Sequence, residues 1–116
     1  MPKVVIYHNP RCSKSCLALE ILQQHNLSVE IIDYVQTPPS IATIQQLLAK
    51  LNMTPRQLMR SQESMYQQLK LDKPQLTDTQ LIQAMHQHPI LIERPIVILD
   101  NNALIARPPE KITELL

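Results

Sequence analysis

The feature that most constrains the fold of this chain is its opening order of strand, helix and strand. Lys3–Tyr7 (KVVIY) and Val29–Tyr34 (VEIIDY) are short β-branched runs of the kind that form buried strands. Between them, an apolar stripe with helical spacing predicts a helix that ends near His25 and Asn26. The stripe consists of Leu17, Ala18, Ile21 and Leu22. Such a unit makes its two strands parallel, so we expect an α/β fold.

The middle of the chain is predicted to be helical. Four helix starts are indicated by capping residues, at Ser40, at Thr54 before Pro55, at Ser61, and at Thr77 with Gln80. The first helix has an apolar face made of Ile41, Ile44, Leu47, Leu48 and Leu51. The third is expected to carry Met65 and Leu69, and the fourth to stop before Pro89.

The last third returns to strand character. Ile96–Leu99 and Ala103–Ala106, joined by a polar Asp-Asn-Asn turn, predict an antiparallel hairpin. Pro108 and Pro109 are expected to start a short terminal helix whose inner side carries Ile112, Leu115 and Leu116. The predicted order is therefore β-α-β, a helical insertion, and β-β-α, in one domain that spans residues 1–116.

Composition excludes several classes of function. The formal charge of +1 gives no general attraction to nucleic acid or to an anionic membrane, and the three tyrosines are too few aromatic residues for a base-stacking surface. With no glycine, the chain cannot form a glycine-rich phosphate loop. No apolar run approaches the roughly 20 residues that span a bilayer, and the N-terminus does not resemble a signal peptide. We expect a cytoplasmic protein that binds neither nucleic acid nor membrane.

The sharpest local feature is HNPRCSKSC, which runs from His8 to Cys16 between the first strand and the first helix. At a helix start, Cys12 would meet unpaired N–H groups and the positive end of the helix dipole, which favour thiolate over thiol. The same N–H groups can hold an oxyanion. With Arg11, Lys14 and a protonated His8 as cationic neighbours, Cys12 is a candidate nucleophile for a negatively charged partner.

A buried, inert thiol is the alternative for both cysteines, because free cysteine often packs as a small hydrophobe. For Cys12 the cationic loop argues against it. For Cys16 the inert alternative is favoured, since this residue stands one helical turn later beside the apolar Leu17 and Ala18.

At this point the chain resembles the glutaredoxin-coupled arsenate reductases, which have a thioredoxin-like fold. The resemblance runs nearly end to end, through IYHNPRCSKS, TPPS, Arg60 in LMR, QHPILIERPIVI and the final Arg107-Pro108. It implies a four-stranded mixed sheet with flanking helices and a helical insertion. It also implies reduction of arsenate to arsenite, with no bound cofactor, with glutathione as co-substrate and with glutaredoxin as partner.

The resemblance also assigns roles to single residues. It makes Cys12 the nucleophile that forms a thiolate-arsenate adduct, and it makes Arg60, Arg94 and Arg107 the cations around it. Guanidinium groups stay charged and can offer paired hydrogen bonds to the oxygens of an oxyanion. His8 and Ser15 match positions that support the thiolate. For each arginine the alternative is a solvated surface charge, which stays open chiefly for Arg60.

Pro95 follows Arg94 directly before a predicted strand. The thioredoxin-like fold that the chain resembles has a cis proline at this position, facing the active cysteine. The base rate for cis X-Pro bonds is only about 5%. The cis assignment therefore comes from the resemblance, and it would aim Arg94 at Cys12.

Two features depart from the family pattern. Ser13-Lys14-Ser15 replaces a Gly-Thr-Ser sequence, and Cys16 occupies a place where arginine is usual. A thiol four residues after Cys12 lies roughly 6 Å away at Cα in a helix, inside the range that a disulfide tolerates. We therefore also consider Cys16 as a thiol that resolves oxidised Cys12.

Two other functions are compatible with the same fold. One is a thiol-redox regulator that binds RNA polymerase, although such regulators normally have two residues between their cysteines and this chain has three. The other is a glutathione-linked thiol oxidoreductase with a different substrate. A metal site is not expected, because His86 and His88 point to different sides of a helix and are interpreted as surface or C-cap residues.

Overall fold

The structure is a computed structural model that describes residues 3–25 and 27–116. Its strands are β1 (Lys3–His8), β2 (Ser28–Asp33), β3 (Ile96–Leu99) and β4 (Asn102–Ile105). Its α-helices are α1 (Ser13–Gln24), α2 (Ile41–Leu51), α3 (Pro55–Leu58), α4 (Ser64–Gln68) and α5 (Asp78–Gln87). Two 3₁₀ helices cover Pro89–Leu91 and Pro109–Leu115. Within these described ranges, none of the helices has the length and hydrophobicity that a membrane span requires.

The sheet has the mixed topology that was predicted. The chain divides into two compact units, Met1–Thr37 with Arg94–Leu116, and Pro38–Glu93. In the first unit the strand order is β2-β1-β3-β4. The β1 strand pairs with β2 in parallel and with β3 antiparallel, and β3 pairs antiparallel with β4. The prediction of a four-stranded mixed sheet with flanking helices is confirmed, and the helical insertion forms the second unit.

The core of the first unit lies between the sheet, α1 and the terminal 3₁₀ helix. Its fully buried members are Val4, Ile6, Ala18, Leu22, Val97, Ala106 and Ile112. On α1 the buried residues are Ser15, Ala18 and Leu22, spaced three and four residues apart, as one helical face requires. Leu17 was predicted to belong to this face, and that prediction is wrong: the residue is 49% exposed, because it precedes Ala18 by about 100° of helix rotation.

The ends of several elements differ slightly from the predictions. The α1 helix ends at Gln24 with His25 as its C-cap, as predicted, while Asn26 lies outside the described residues. The β4 strand starts at Asn102, one residue earlier than expected, because Asp100 takes a left-handed conformation that tightens the turn. The terminal helix is of the 3₁₀ type and buries Ile112, but Leu116, predicted to face inward, is 46% exposed.

The second unit contains the predicted series of capped helices. Side chains of Ser40, Thr54 and Thr77 accept hydrogen bonds at the starts of α2, α3 and α5, and the last two form complete capping boxes. On α2 the buried residues are Ile44, Leu47 and Leu48, whereas Ile41 is exposed and Leu51 half-buried.

The third predicted helix begins later than expected. The α4 helix starts at Ser64 with Glu63 as N-cap, because residues 61–63 form turns and a bend. Its buried residue is Tyr66, while Leu69 is exposed. The α5 helix ends at Gln87, before Pro89, as predicted.

Candidate active site

Cys12 stands at the N-cap of α1, a few residues after the end of β1. Its backbone N–H donates to the Asn9 carbonyl over 2.9 Å, which closes the loop between the strand and the helix. Its own carbonyl accepts the N–H of Cys16 over 3.0 Å, which opens the first helical turn. The predicted position of Cys12 at the loop-to-helix junction is confirmed, and its side chain is half-buried.

A buried cluster of hydrogen bonds stabilises the loop between β1 and α1. Ser15 is fully buried, and its Oγ lies 2.6 Å from Nδ1 of His8 and accepts the Asn9 N–H over 3.1 Å. His8 and Asn9 are themselves buried. The cluster therefore ties the end of β1 to the first turn of α1, and it holds the backbone on both sides of Cys12.

Two of the three predicted arginines lie together at the hairpin of β3 and β4. Arg94 precedes β3 and is joined to Pro95 by a cis peptide bond, as expected. The peptide bond between Arg107 and Pro108 is also cis. Nη1 of Arg107 donates to the Arg94 carbonyl over 3.3 Å, and the N–H of Ala106 donates to the Pro95 carbonyl over 2.9 Å.

Arg94 also reaches the sulfur of Cys12. Burial would raise the pKa of the Cys12 thiol, but the backbone N–H of Ser15 stabilises the thiolate. The Arg94 guanidinium adds a hydrogen bond and a positive charge, and the backbone N–H of Lys14 contributes further. Together these groups outweigh burial, so the pKa of Cys12 lies below its ordinary value. The expectation of a thiolate at a helix N-terminus therefore has a structural basis.

His8 was considered as a protonated neighbour of Cys12, and the structure argues against that state. Burial lowers the pKa of His8, and the negative charge of Asp33 and a hydrogen bond involving Ser15 oppose the shift only in part. At neutral pH the imidazole is therefore neutral. Its Nδ1 lies 2.6 Å from the Ser15 hydroxyl, within hydrogen-bond distance.

Comparison with known proteins now identifies the family. The model of the ArsC family matches residues 7–115 of the chain. The chain belongs to the ArsC family. Over the whole length of both chains it is 39% identical to an arsenate reductase of Neisseria meningitidis. A solved structure of an arsenate reductase from Vibrio cholerae is 42% identical with a TM-score of 0.96, covering 99% of this chain and 98% of that one.

Another ArsC-like relative has no stated activity. The protein YfgD of Escherichia coli, described as uncharacterised, is 45% identical and covers 97% of this chain and 96% of its own. Within the ArsC family, this chain is therefore similar both to proteins named arsenate reductases and to a relative whose name states no reaction.

Arg60, the third arginine of the predicted ArsC site, lies in the second unit. It follows α3, its N–H donates to the Leu91 carbonyl over 2.7 Å, and its Nε lies 3.2 Å from Oε1 of Glu63. Its side chain is 15% exposed, so it is not the solvated surface charge that was the alternative. Its predicted role toward an oxyanion stays a prediction.

Cys16 is half-buried rather than fully packed. Its thiol donates a hydrogen bond to the Pro10 carbonyl over 3.5 Å. The structure therefore turns this sulfur back toward the loop that carries Cys12, and both thiols are free.

Asn9 was not among the predicted site residues. Asn9 makes two backbone contacts, and its Oδ1 also accepts the N–H of Arg11 over 3.0 Å. This bond closes an Asx turn, in which the side chain replaces a backbone carbonyl. An asparagine followed by proline between a strand and a helix is typical of such a turn, so a signal was present in the sequence. Asn9 thus shapes the loop between β1 and α1 in a chain without glycine.

His86 lies in the last turn of α5, and His88 follows that helix. Nδ1 of His86 lies 2.8 Å from the Pro39 carbonyl, and the side chain is partly buried rather than at the surface. His88 is the C-cap of α5, which is one of the two roles predicted for these histidines. Among residues 3–25 and 27–116, no three His, Cys, Asp or Glu side chains are grouped so that they could hold a metal ion.

Proposed function

We propose that this protein reduces arsenate to arsenite through a covalent adduct on Cys12, with glutathione and glutaredoxin as the source of electrons. The observation that carries the proposal is the sulfur of Cys12 at the N-terminus of α1, where the Ser15 backbone N–H and the Arg94 guanidinium stabilise its thiolate. Support also comes from full-length relatives that are named arsenate reductases. The reaction needs no bound cofactor, and we assign it to the cytoplasm, where thiols remain reduced.

The first step is attack of the Cys12 thiolate on arsenic. The sulfur–arsenic bond forms as one oxygen of arsenate leaves as water or hydroxide. A lowered thiol pKa increases the fraction of attacking thiolate at neutral pH. The backbone N–H groups of Ser15 and Lys14 at the start of α1 stabilise negative charge at the same place.

The arginines overcome the repulsion between a thiolate and an oxyanion. Arg94 already contacts the sulfur, and Arg107 lies against the backbone of Arg94. Guanidinium groups fixed beside the reacting sulfur can bind the arsenate oxygens and stabilise charge that develops in the transition state. The family resemblance assigns the third such group to Arg60.

His8 and Ser15 act on the loop and not on arsenate. The fully buried Ser15 hydroxyl links His8 to the backbone of Asn9. This linkage keeps the backbone N–H of Ser15 directed at the Cys12 sulfur, which is one of the interactions that lowers its pKa. We therefore assign both residues a positioning role.

A second thiol completes the reduction. It attacks the Cys12 sulfur, a disulfide forms, and the electron pair of the sulfur–arsenic bond stays on arsenic as arsenite leaves. In the proposed cycle the glutathione and glutaredoxin thiols supply these electrons and return Cys12 to its reduced form.

The test is NADPH oxidation that depends on arsenate in the presence of glutathione, glutaredoxin and glutathione reductase. Cys12→Ser is expected to abolish it. Arg94→Ala and Arg107→Ala are expected to lower kcat by about 10²-fold or more, as for loss of other oxyanion-binding groups. Arg60→Ala tests the third assignment by the same assay. Lys111→Gln, which removes an exposed positive charge from the terminal 3₁₀ helix, is the control and should leave the rate unchanged.

The same assay separates the proposal from its closest rival. A glutathione-linked thiol oxidoreductase would oxidise NADPH with a small disulfide substrate and would not respond to arsenate. Such a result would overturn arsenate reduction while leaving Cys12 as the reactive thiol.

A further inference from the structure

The second cysteine of the chain has a definite geometric relation to the first. Its N–H donates to the Cys12 carbonyl over 3.0 Å, so one complete helical turn separates the two residues. Cys12 is the N-cap of α1 and Cys16 its fourth residue, a separation at which the Cα atoms lie about 6 Å apart. Disulfides form at Cα separations of about 4.4–6.8 Å, so the backbone permits a bond between the two sulfurs.

The direction of the Cys16 side chain agrees with this. Its thiol is hydrogen-bonded to the Pro10 carbonyl, two residues before Cys12, so it points back toward the start of the helix. Both thiols are half-buried and free, and neither is sealed into the hydrophobic core. A sulfur that only filled space on α1 would join Ala18 and Leu22, which are fully buried there.

We propose that Cys16 is the resolving thiol of this enzyme: it attacks Cys12 in the arsenate adduct and forms an intramolecular disulfide before glutathione acts. The inference rests on the proposed function and deepens it. The sulfur–sulfur bond forms as the sulfur–arsenic bond breaks, and its electron pair reduces As(V) to As(III). The Cys16 proton passes to an arsenite oxygen. Glutathione or glutaredoxin thiols then reduce the disulfide between Cys12 and Cys16.

Proximity explains why Cys16 acts before glutathione. A group tethered by a short segment has an effective concentration in the millimolar range or above, and no encounter step is needed. The reductant then meets a disulfide within the protein and not a mixed disulfide on Cys12. The partner that finishes the cycle is therefore a thiol reductant that attacks a half-buried disulfide at the start of α1.

The deciding experiment is a single turnover with the full-length reduced protein and arsenate, without glutathione. We expect one arsenite released per protein and an intact mass lower by two hydrogens, with a peptide containing Cys12 linked to Cys16. Cys16→Ser is expected to release no arsenite under these conditions. With glutathione at millimolar concentration, Cys16→Ser should recover turnover and accumulate glutathionylated Cys12.

A thiol moved by one residue is the matched control. Leu17 is exposed on α1, about 100° around the helix from Cys16. The double variant Cys16→Ser, Leu17→Cys keeps two cysteines on the same turn but turns the second away from Cys12. It should behave like Cys16→Ser alone, releasing no arsenite without glutathione.

Failure of the inference differs from failure of the proposed function. Arsenite produced only with glutathione, with glutathionylated Cys12 and no internal disulfide in the wild type, overturns the role of Cys16 and leaves arsenate reduction standing. Arsenite produced under no condition, with or without glutathione and glutaredoxin, overturns the proposed function and the inference with it.

Hydrogen peroxide gives a test of the cysteine pair that does not depend on arsenate. Peroxide converts the Cys12 thiolate to sulfenic acid, and attack by Cys16 releases water and forms the same disulfide. Wild-type protein should stop at the disulfide, whereas Cys16→Ser should proceed to sulfinic acid. Equal yields of sulfinic acid in the two proteins would overturn the pairing.

Discussion

A single guanidinium has a large influence on the chemistry of Cys12. Arg94 both hydrogen-bonds to the sulfur and places a positive charge beside it, whereas the other stabilising groups are backbone N–H dipoles from Lys14 and Ser15. A full charge close to a thiolate acts over a longer range than a dipole and favours the ionised form directly. The side chains of Arg11 and Lys14, the cations nearest in sequence, are exposed to solvent, which screens them.

Arg94→Gln should therefore raise the pKa of Cys12. Because only the thiolate reacts with iodoacetamide, the midpoint of alkylation rate against pH should move to higher pH. The measurement is made in the Cys16→Ser background, so that Cys12 is the one thiol of the chain. Lys111→Gln in that background is the charge-matched control, and a common midpoint in both variants would contradict the role given to Arg94.

Ser15→Ala should destabilise the protein. The change removes the acceptor for the buried Asn9 N–H and the partner of His8, and an unsatisfied buried group of this kind costs about 1–3 kcal/mol. The free energy of unfolding in urea measures this loss. Ser13→Ala, at an exposed position in the same turn, is the control and should change stability by less than about 0.5 kcal/mol.

At the scale of single elements, local rules predicted most of the starts. Ser40, Thr54 and Thr77 cap their helices as expected, because a capping hydroxyl and the N–H three residues on are close in sequence. The exception is α4, which has five residues and lacks a side-chain cap. A helix this short is held by tertiary packing, here of Tyr66, and packing is not visible in a local pattern.

Thr77→Ala should weaken α5 in a measurable way. Its hydroxyl accepts the N–H of Gln80, and Gln80 Oε1 accepts the N–H of Thr77, so both bonds of a capping box depend on this pair. Loss of an N-cap threonine costs about 0.5–2 kcal/mol of unfolding free energy. Thr79→Ala, an exposed change inside the same helix, should leave stability unchanged or slightly higher, and equal losses at both positions would contradict the capping role.

At the scale of the whole molecule, the terminal 3₁₀ helix completes the core of the first unit. It packs against α1, and Ile112 is fully buried among residues from the sheet and that helix. Its final residue, Leu116, remains exposed. A segment that is marginal by itself is thus held through its buried residues, Pro109 and Ile112.

Ile112→Ala should therefore cost about 2–5 kcal/mol of unfolding free energy, as is typical of large-to-small changes at fully buried sites. Leu116→Ala, four residues on and exposed, should change stability little. Urea denaturation of both variants measures the difference. A small loss for Ile112→Ala would mean that the first unit does not depend on its last helix.

Long-range proximity marks the limit of prediction from sequence. The loop around Cys12 could be placed because strand, turn and helix follow one another, but nothing local brings Arg94 to a sulfur more than 80 residues earlier. Only the family resemblance suggested it. The neutral state of His8 was missed for a related reason, since it depends on burial that the tertiary fold creates.

Because β1 pairs antiparallel with β3, the reactivity of the Cys12 sulfur depends on the correct register of these two strands. Tyr7 stands opposite Ile96, so the chain departs toward Cys12 at the edge where Arg94 leads into β3. Slippage by one residue would carry the guanidinium about 3.4 Å along the sheet, enough to break its hydrogen bond to sulfur. During refolding, Cys12 would then be alkylated rapidly only after β1 and β3 have paired in register. The time at which rapid alkylation begins would therefore measure when these two strands pair.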